Sequence, residues 1–140
     1  MFGCYFRATG DDFDVDLFGS TSSLIPDDVF HRGERIDDKG NVTGKPHQTS
    51  GFNIVIGKVF GKLKPQIDDA QKFLEQNQGE LLRLVKFPNV TDRRLVFAYC
   101  PGTTANVCEY FPPKLISMAG SLGVGIELSV YPGDNSWLSE

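Results

Sequence analysis

Histidine and cysteine are scarce in this chain. The two histidines, His31 and His47, lack the HxxxH spacing of a metal site, and Cys4, Cys100 and Cys108 form neither a CxxC redox pair nor a zinc pattern. The expectation is therefore no metal and no cofactor. Three thiols cannot all pair within one molecule, which fits reduced cysteines in a cytoplasmic protein. Cys4 lies in the apolar pattern "MFGCYFRA", where a small buried thiol is expected.

Long hydrophobic runs are also lacking. No stretch approaches the roughly 20 apolar residues needed to span a bilayer, and the first strand pattern begins too early to leave room for a signal peptide. Two "NVT" triplets, at Asn41 and Asn89, read as chance matches in a cytoplasmic protein.

Positive charge is in deficit, with 14 Lys and Arg against 18 Asp and Glu, for a net charge of -4. That balance argues against general affinity for nucleic acid or an anionic membrane. The small basic clusters, Arg32 with Arg35 and Lys58 with Lys62 and Lys64, read as solvated faces. An acidic surface suits a basic protein partner instead.

Recognisable catalytic motifs are missing too. There is no GxSxG elbow. "GKVFGK" is one residue short of a phosphate loop and is followed by Leu63, where Ser or Thr would hold magnesium. "GSLGVG" follows a helix pattern and precedes a strand, the reverse of a dinucleotide fingerprint. Of the carboxylate pairs Asp11 with Asp12, Asp27 with Asp28, Asp37 with Asp38 and Asp68 with Asp69, most fall where loops and helix starts favour Asp, and adjacent residues on a strand point to opposite faces. A small hydrolase would need the fold to bring Cys100 or Cys108 to His31.

What the chain does contain is a regular α+β pattern over 140 residues, the size of one domain. Phe2, Cys4, Phe6 and Ala8 alternate with Gly3, Tyr5, Arg7 and Thr9 in a strand ending at Gly10. Asp14 is a suitable N-cap for a short helix with Leu17 and Phe18 on its apolar side. "SLIPDDVFHRGERI" is extended, "DDKGNVTGKPHQTSG" is a breaker-rich loop, and Phe52, Ile54 and Ile56 restore the period of two. Ile67, Ala70, Phe73 and Leu74 define a second helix, opened by Pro65, with Asp68 and Asp69 near its N-terminus and Gly79 interrupting it. "RRLVFAYC" reads as a strand.

"PPKLISMAGSLGVGIELSVYP" closes the chain with a Pro-started helix and a glycine stop at Gly123. Its helix carries an apolar stripe of Leu115, Ile116, Met118, Ala119 and Leu122. The strand after it buries Ile126, Leu128 and Val130 and exposes Glu127, Ser129 and Tyr131. The expected architecture is one domain over residues 1–140, an antiparallel or mixed sheet with helices packed on it, in the ferredoxin-like neighbourhood.

With these segments in place, the chain resembles the bacterial family known as domain of unknown function 4279. The resemblance rests on "YFRATGDDFDVDLF", "IPDDVFHRGERI" with Gly33, "TSGFNIVIG" and the closing "PPKLISMAGSLGVGIELSVYP", in that order. Phe52 departs from the Trp often found after the Ser-Gly pair in that family, with the aromatic core role retained. The resemblance implies an α+β domain and transfers no catalytic residue.

Tyr5, Tyr99, Tyr110, Tyr131 and Trp137 include several on the non-core parity of their strands, and such residues anchor protein interfaces. The leading expectation is a non-enzymatic protein-binding domain. Its most specific form is an immunity protein that neutralises a cognate bacterial toxin, with Tyr5 and Arg7, or the loop holding Asp37 and Asp38, at the interface. The alternatives are a small-ligand-binding or self-associating regulatory domain, and the hydrolase above.

Overall fold

The alternation in "CYFRATG" makes β1 (Cys4–Gly10) two-faced, with Cys4, Phe6 and Ala8 fully buried on one side. The computed structural model describes residues 2–35, 41–42, 44–102 and 108–133. Within it, β1 is the central strand of a five-stranded mixed sheet of order β2-β3-β1-β4-β5, where β2 is Asp28–Phe30, β3 Ser50–Gly57, β4 Asp92–Tyr99 and β5 Gly125–Val130. All neighbours are antiparallel except β4 and β5. The helices among the described residues are α1 (Val15–Thr21), α2 (Leu63–Gln76), α3 (Gln78–Lys86) and α4 (Pro113–Ser121). The first four strands with their intervening helices form the split βαβ arrangement expected of a ferredoxin-like neighbour. The α4–β5 unit extends that sheet by one parallel strand.

The buried residues of all four helices share one cluster with Phe6, Phe52, Leu95 and Phe97. Aromatic rings fill its centre: Phe18 stacks on Phe52 at 5.8 Å between centroids and meets Phe87 edge-on at 5.2 Å. Asp14 caps α1 as expected, its Oδ1 accepting from the Leu17 amide at 3.1 Å. Leu17 itself is 54% exposed, and the core residues of α1 are Val15 and Phe18, which lie three apart on one helix face.

Helix α2 starts two residues before Pro65, so Asp68 and Asp69 sit in its second turn rather than beside its N-terminus. Its end is set at Asn77 rather than Gly79. The Asn77 amide and side-chain Nδ2 both donate to the Phe73 carbonyl, at 3.1 and 2.8 Å, closing α2 before α3 begins. At the end of α4, Gly123 takes a φ of 70°, the left-handed conformation that a glycine adopts without strain, and the chain turns into β5. Ile116 points away from the core, which α4 reaches through Leu115 and Ala119.

One side chain closes a gap in the sheet. Beyond Cys4, β1 no longer runs beside β4; the Ala98 carbonyl still accepts from the Gly61 amide at 3.2 Å, but the Ala98 amide is left without a strand acceptor. Gln66 of α2, fully buried, supplies one: its Oε1 accepts from the Ala98 amide at 3.0 Å, and its Nε2 donates to the Ala98 carbonyl at 2.8 Å and to the Val59 carbonyl at 3.0 Å. An amide side chain thereby stands in for a strand.

The expectation that β5 buries one face is overturned. Ile126, Leu128 and Val130 are 36%, 39% and 59% exposed. Register places them beside Leu95, Phe97 and Tyr99, on the helix side of the sheet, but at its edge, where the helical layer leaves them open.

Candidate functional site

Among the described residues, no helix places a core residue on the opposite face of the sheet. Register assembles that face from alternate positions: Asp28 and Phe30 of β2, Asn53 and Val55 of β3, Tyr5 and Arg7 of β1, Arg94 and Val96 of β4, and Glu127 and Ser129 of β5. Long side chains do the covering that helices do on the other side. The Arg7 guanidinium lies over the Phe30 ring, 4.8 Å from its centroid, and Phe30 is buried beneath it and the His47 ring.

The polar groups of this face are linked across the strands. Arg7 Nη1 donates to Asn53 Oδ1, whose Nδ2 donates to Asp28 Oδ2, both at 3.4 Å. Arg94 bridges Asp92 and Glu127, with a 2.5 Å contact from Nη1 to Glu127 Oε1. Its hydrogen bonds to Asp92 and then Glu127 hold the guanidinium still more firmly protonated than usual. Burial pushes the Tyr5 phenol up, against the opposing effect of Arg7.

Tyr5 stands between two depressions. On the β3 side is an open groove of about 650 Å³, lined by Phe2, Tyr5, Val55, Asp27, Asp28 and Lys58 among others. On the β4 side, a smaller hollow of about 230 Å³ reaches Val96, Ser129 and Tyr131. Asp27 and Asp28 line the same groove, contrary to the expectation of opposite faces, because Asp27 precedes β2 and is not part of its alternation. Asp27 Oδ2 accepts from the Val55 amide at 2.6 Å, so this carboxylate also ends the ladder. Of the interface residues expected from sequence, Tyr5 and Arg7 lie at the centre of this face, whereas Asp37 and Asp38 fall outside the described residues. Asp28, Asn53 and Arg94 join the site only once the strand order is known.

The residues required for a Cys–His hydrolase are not brought together. His31 follows Phe30, which is level with Gly51 and, across the next strand, with Ala8 and Thr9 and the Asp92 end of β4. Cys100 follows Tyr99 at the other end of β4, and Cys108 lies beside the start of α2 near that same end. The intervening strand length is about 20 Å at the usual rise per residue. His31 is occupied locally, with Nε2 2.9 Å from Asp16 Oδ2 and Nδ1 2.6 Å from Glu34 Oε1. Burial pushes the Cys4 thiol up to about 12, leaving an inert core residue.

No group of three metal-ligating side chains with suitable geometry occurs among the described residues. None of the described helices is long and apolar enough to cross a membrane. No curated protein and no solved structure matches the chain. A family model does, over residues 1–133, and together with the segments identified above this places the chain in the family described as Domain of unknown function (DUF4279).

Proposed function

We propose that the protein is a non-enzymatic binding domain in which the sheet face opposite the described helices receives a basic protein partner. The observation that carries this reading is the groove beside Tyr5, which two carboxylates, Asp27 and Asp28, line together with Phe2 and Tyr5 and with Lys58 as the one basic side chain among its lining residues. A lysine or arginine side chain is the natural occupant, since carboxylate and ring faces both attract a cation. Phe2 is 57% exposed and Tyr5 half-buried, so apolar contact area is available around the charged centre. The net charge of -4 favours the encounter. An immunity protein that covers the basic surface of a cognate toxin is the specific form of this reading.

The test is capture of partners from lysate of the source cells, followed by binding to Tyr5→Ala and Asp28→Lys variants with unchanged melting temperatures. Each is expected to weaken a captured basic partner at least tenfold, and co-expression is expected to relieve that partner's toxicity. Binding and protection that survive both substitutions would refute the assignment. The groove volume, within the range of small-molecule sites, favours a second reading in which the occupant is a small cationic ligand; saturable binding of an organic cation by the isolated protein, abolished by Asp28→Lys, would select it.

A further inference from the structure

The two edges of the sheet are built differently. β2 is three residues long and is preceded by Pro26 and Asp27, which keep that edge short. β5 runs for six residues, carries one charge, and among the described residues pairs only with β4. Its backbone orientation follows from the bond between the Tyr131 amide and the Tyr99 carbonyl at 2.8 Å. In a parallel ladder alternate residues direct both backbone groups to the same neighbour, so Tyr131, Ser129 and Glu127 face β4. Ile126, Leu128 and Val130 then present their N–H and C=O groups outward, and these are the residues whose apolar side chains stand exposed.

We propose that β5 pairs antiparallel with β5 of a second copy across a two-fold axis at Leu128, joining both sheets into one. The register is dictated by the residues. Centring on Leu128 sets Leu128 against its own copy and Ile126 against Val130, three apolar pairs on one face, each able to exchange two backbone hydrogen bonds. It sets Glu127 against Ser129, so the charge meets a hydroxyl and keeps its ion pair with Arg94. A shift of the axis to Glu127 opposes two like charges. A shift to Ser129 puts Ile126 opposite Pro132, which has no N–H to give. The strand is thus complementary to itself in one register, the requirement of an isologous interface. This contact is independent of the groove beside Tyr5, which lies two strands away on the other face.

Sedimentation velocity of the full chain over a concentration series tests it, with Leu128→Lys as the disrupting variant and Leu17→Lys, at an exposed apolar site on α1, as the control. The wild type and Leu17→Lys are expected to dimerise alike, and Leu128→Lys to dimerise about a hundredfold more weakly with its monomer still folded by circular dichroism. Amide exchange supplies a readout at the backbone: Ile126, Leu128 and Val130 gain protection as concentration rises, while Glu127 and Ser129 are protected throughout. A wild type that stays monomeric at millimolar concentration, a dimer that survives Leu128→Lys, or exchange at the three outward amides that ignores concentration would each overturn the proposal. A strand from a different protein on this edge would give the first of those results.

Discussion

The two faces of this sheet solve the same problem, keeping water from the strands, with different materials. On one face four helices deliver Leu, Ile, Ala and Phe side chains onto Phe6, Phe52 and Leu95. On the other, the described residues cover Phe30 and Val96 with the stems and rings of their own neighbours, Arg7, Tyr5 and Arg94, whose polar tips stay wet. The first solution is rigid and apolar and leaves little for a partner to recognise. The second leaves a patterned polar surface, and that is why the candidate site lies there.

Substitutions that treat the faces unequally put this contrast to the test. Phe52→Ala removes the ring on which Phe18 stacks and is expected to cost about 3–5 kcal/mol by denaturant titration; a loss below about 1 kcal/mol would mean that the helix-side core is not the main source of stability. Gln66→Leu keeps the volume on that same side but leaves the Ala98 amide without its acceptor, an expected cost of about 1–3 kcal/mol. Arg94→Ala on the open face breaks contacts to Asp92 and Glu127 at a site more than a third exposed, and is expected to cost at most about 1 kcal/mol. If it cost more than Phe52→Ala, the division between the two faces would be wrong.

The smallest effect is a pH dependence on the helix side. Glu80 accepts from the Ser22 hydroxyl at 2.6 Å and pairs with Arg83, and the Ser22 bond foremost holds its carboxyl below the ordinary value of 4.5. The folded state then binds the proton less tightly than the unfolded chain. The stabilisation is present above pH 4.5 and is lost as pH falls through the depressed folded value. Unfolding curves collected from pH 6 to pH 3 should show a shallower acid loss for Glu80→Gln than for the parent, and superimposable acid limbs would remove Glu80 from the account.

Much of the fold was legible because its signals are local. The alternation through Phe6, the Asp14 cap and the left-handed turn at Gly123 each depend on a few neighbouring residues. The exposure of Ile126 and Leu128 was not, because alternation shows that a strand has an apolar face without saying whether a helix reaches it. Gln66 was hidden for a similar reason: a polar residue on an amphipathic helix reads as solvated until its partner strand is known. At the candidate site, parity alone placed Tyr5 and Arg7 on the non-core face. Asp28, Asn53 and Arg94 required the cross-strand register, which no spacing within a single segment encodes.

The position of β1 also bears on how the molecule is made. Its two neighbours, β3 and β4, begin at Ser50 and Asp92, far downstream, so β1 leaves the ribosome well before either strand exists to pair with it. With synthesis running at about 5–20 residues per second, an apolar strand containing Phe6 waits for several seconds with both edges bare. The element that is most sheltered in the finished protein is the one most open to misassociation during its birth, and chaperone dependence should track the arrival of β4.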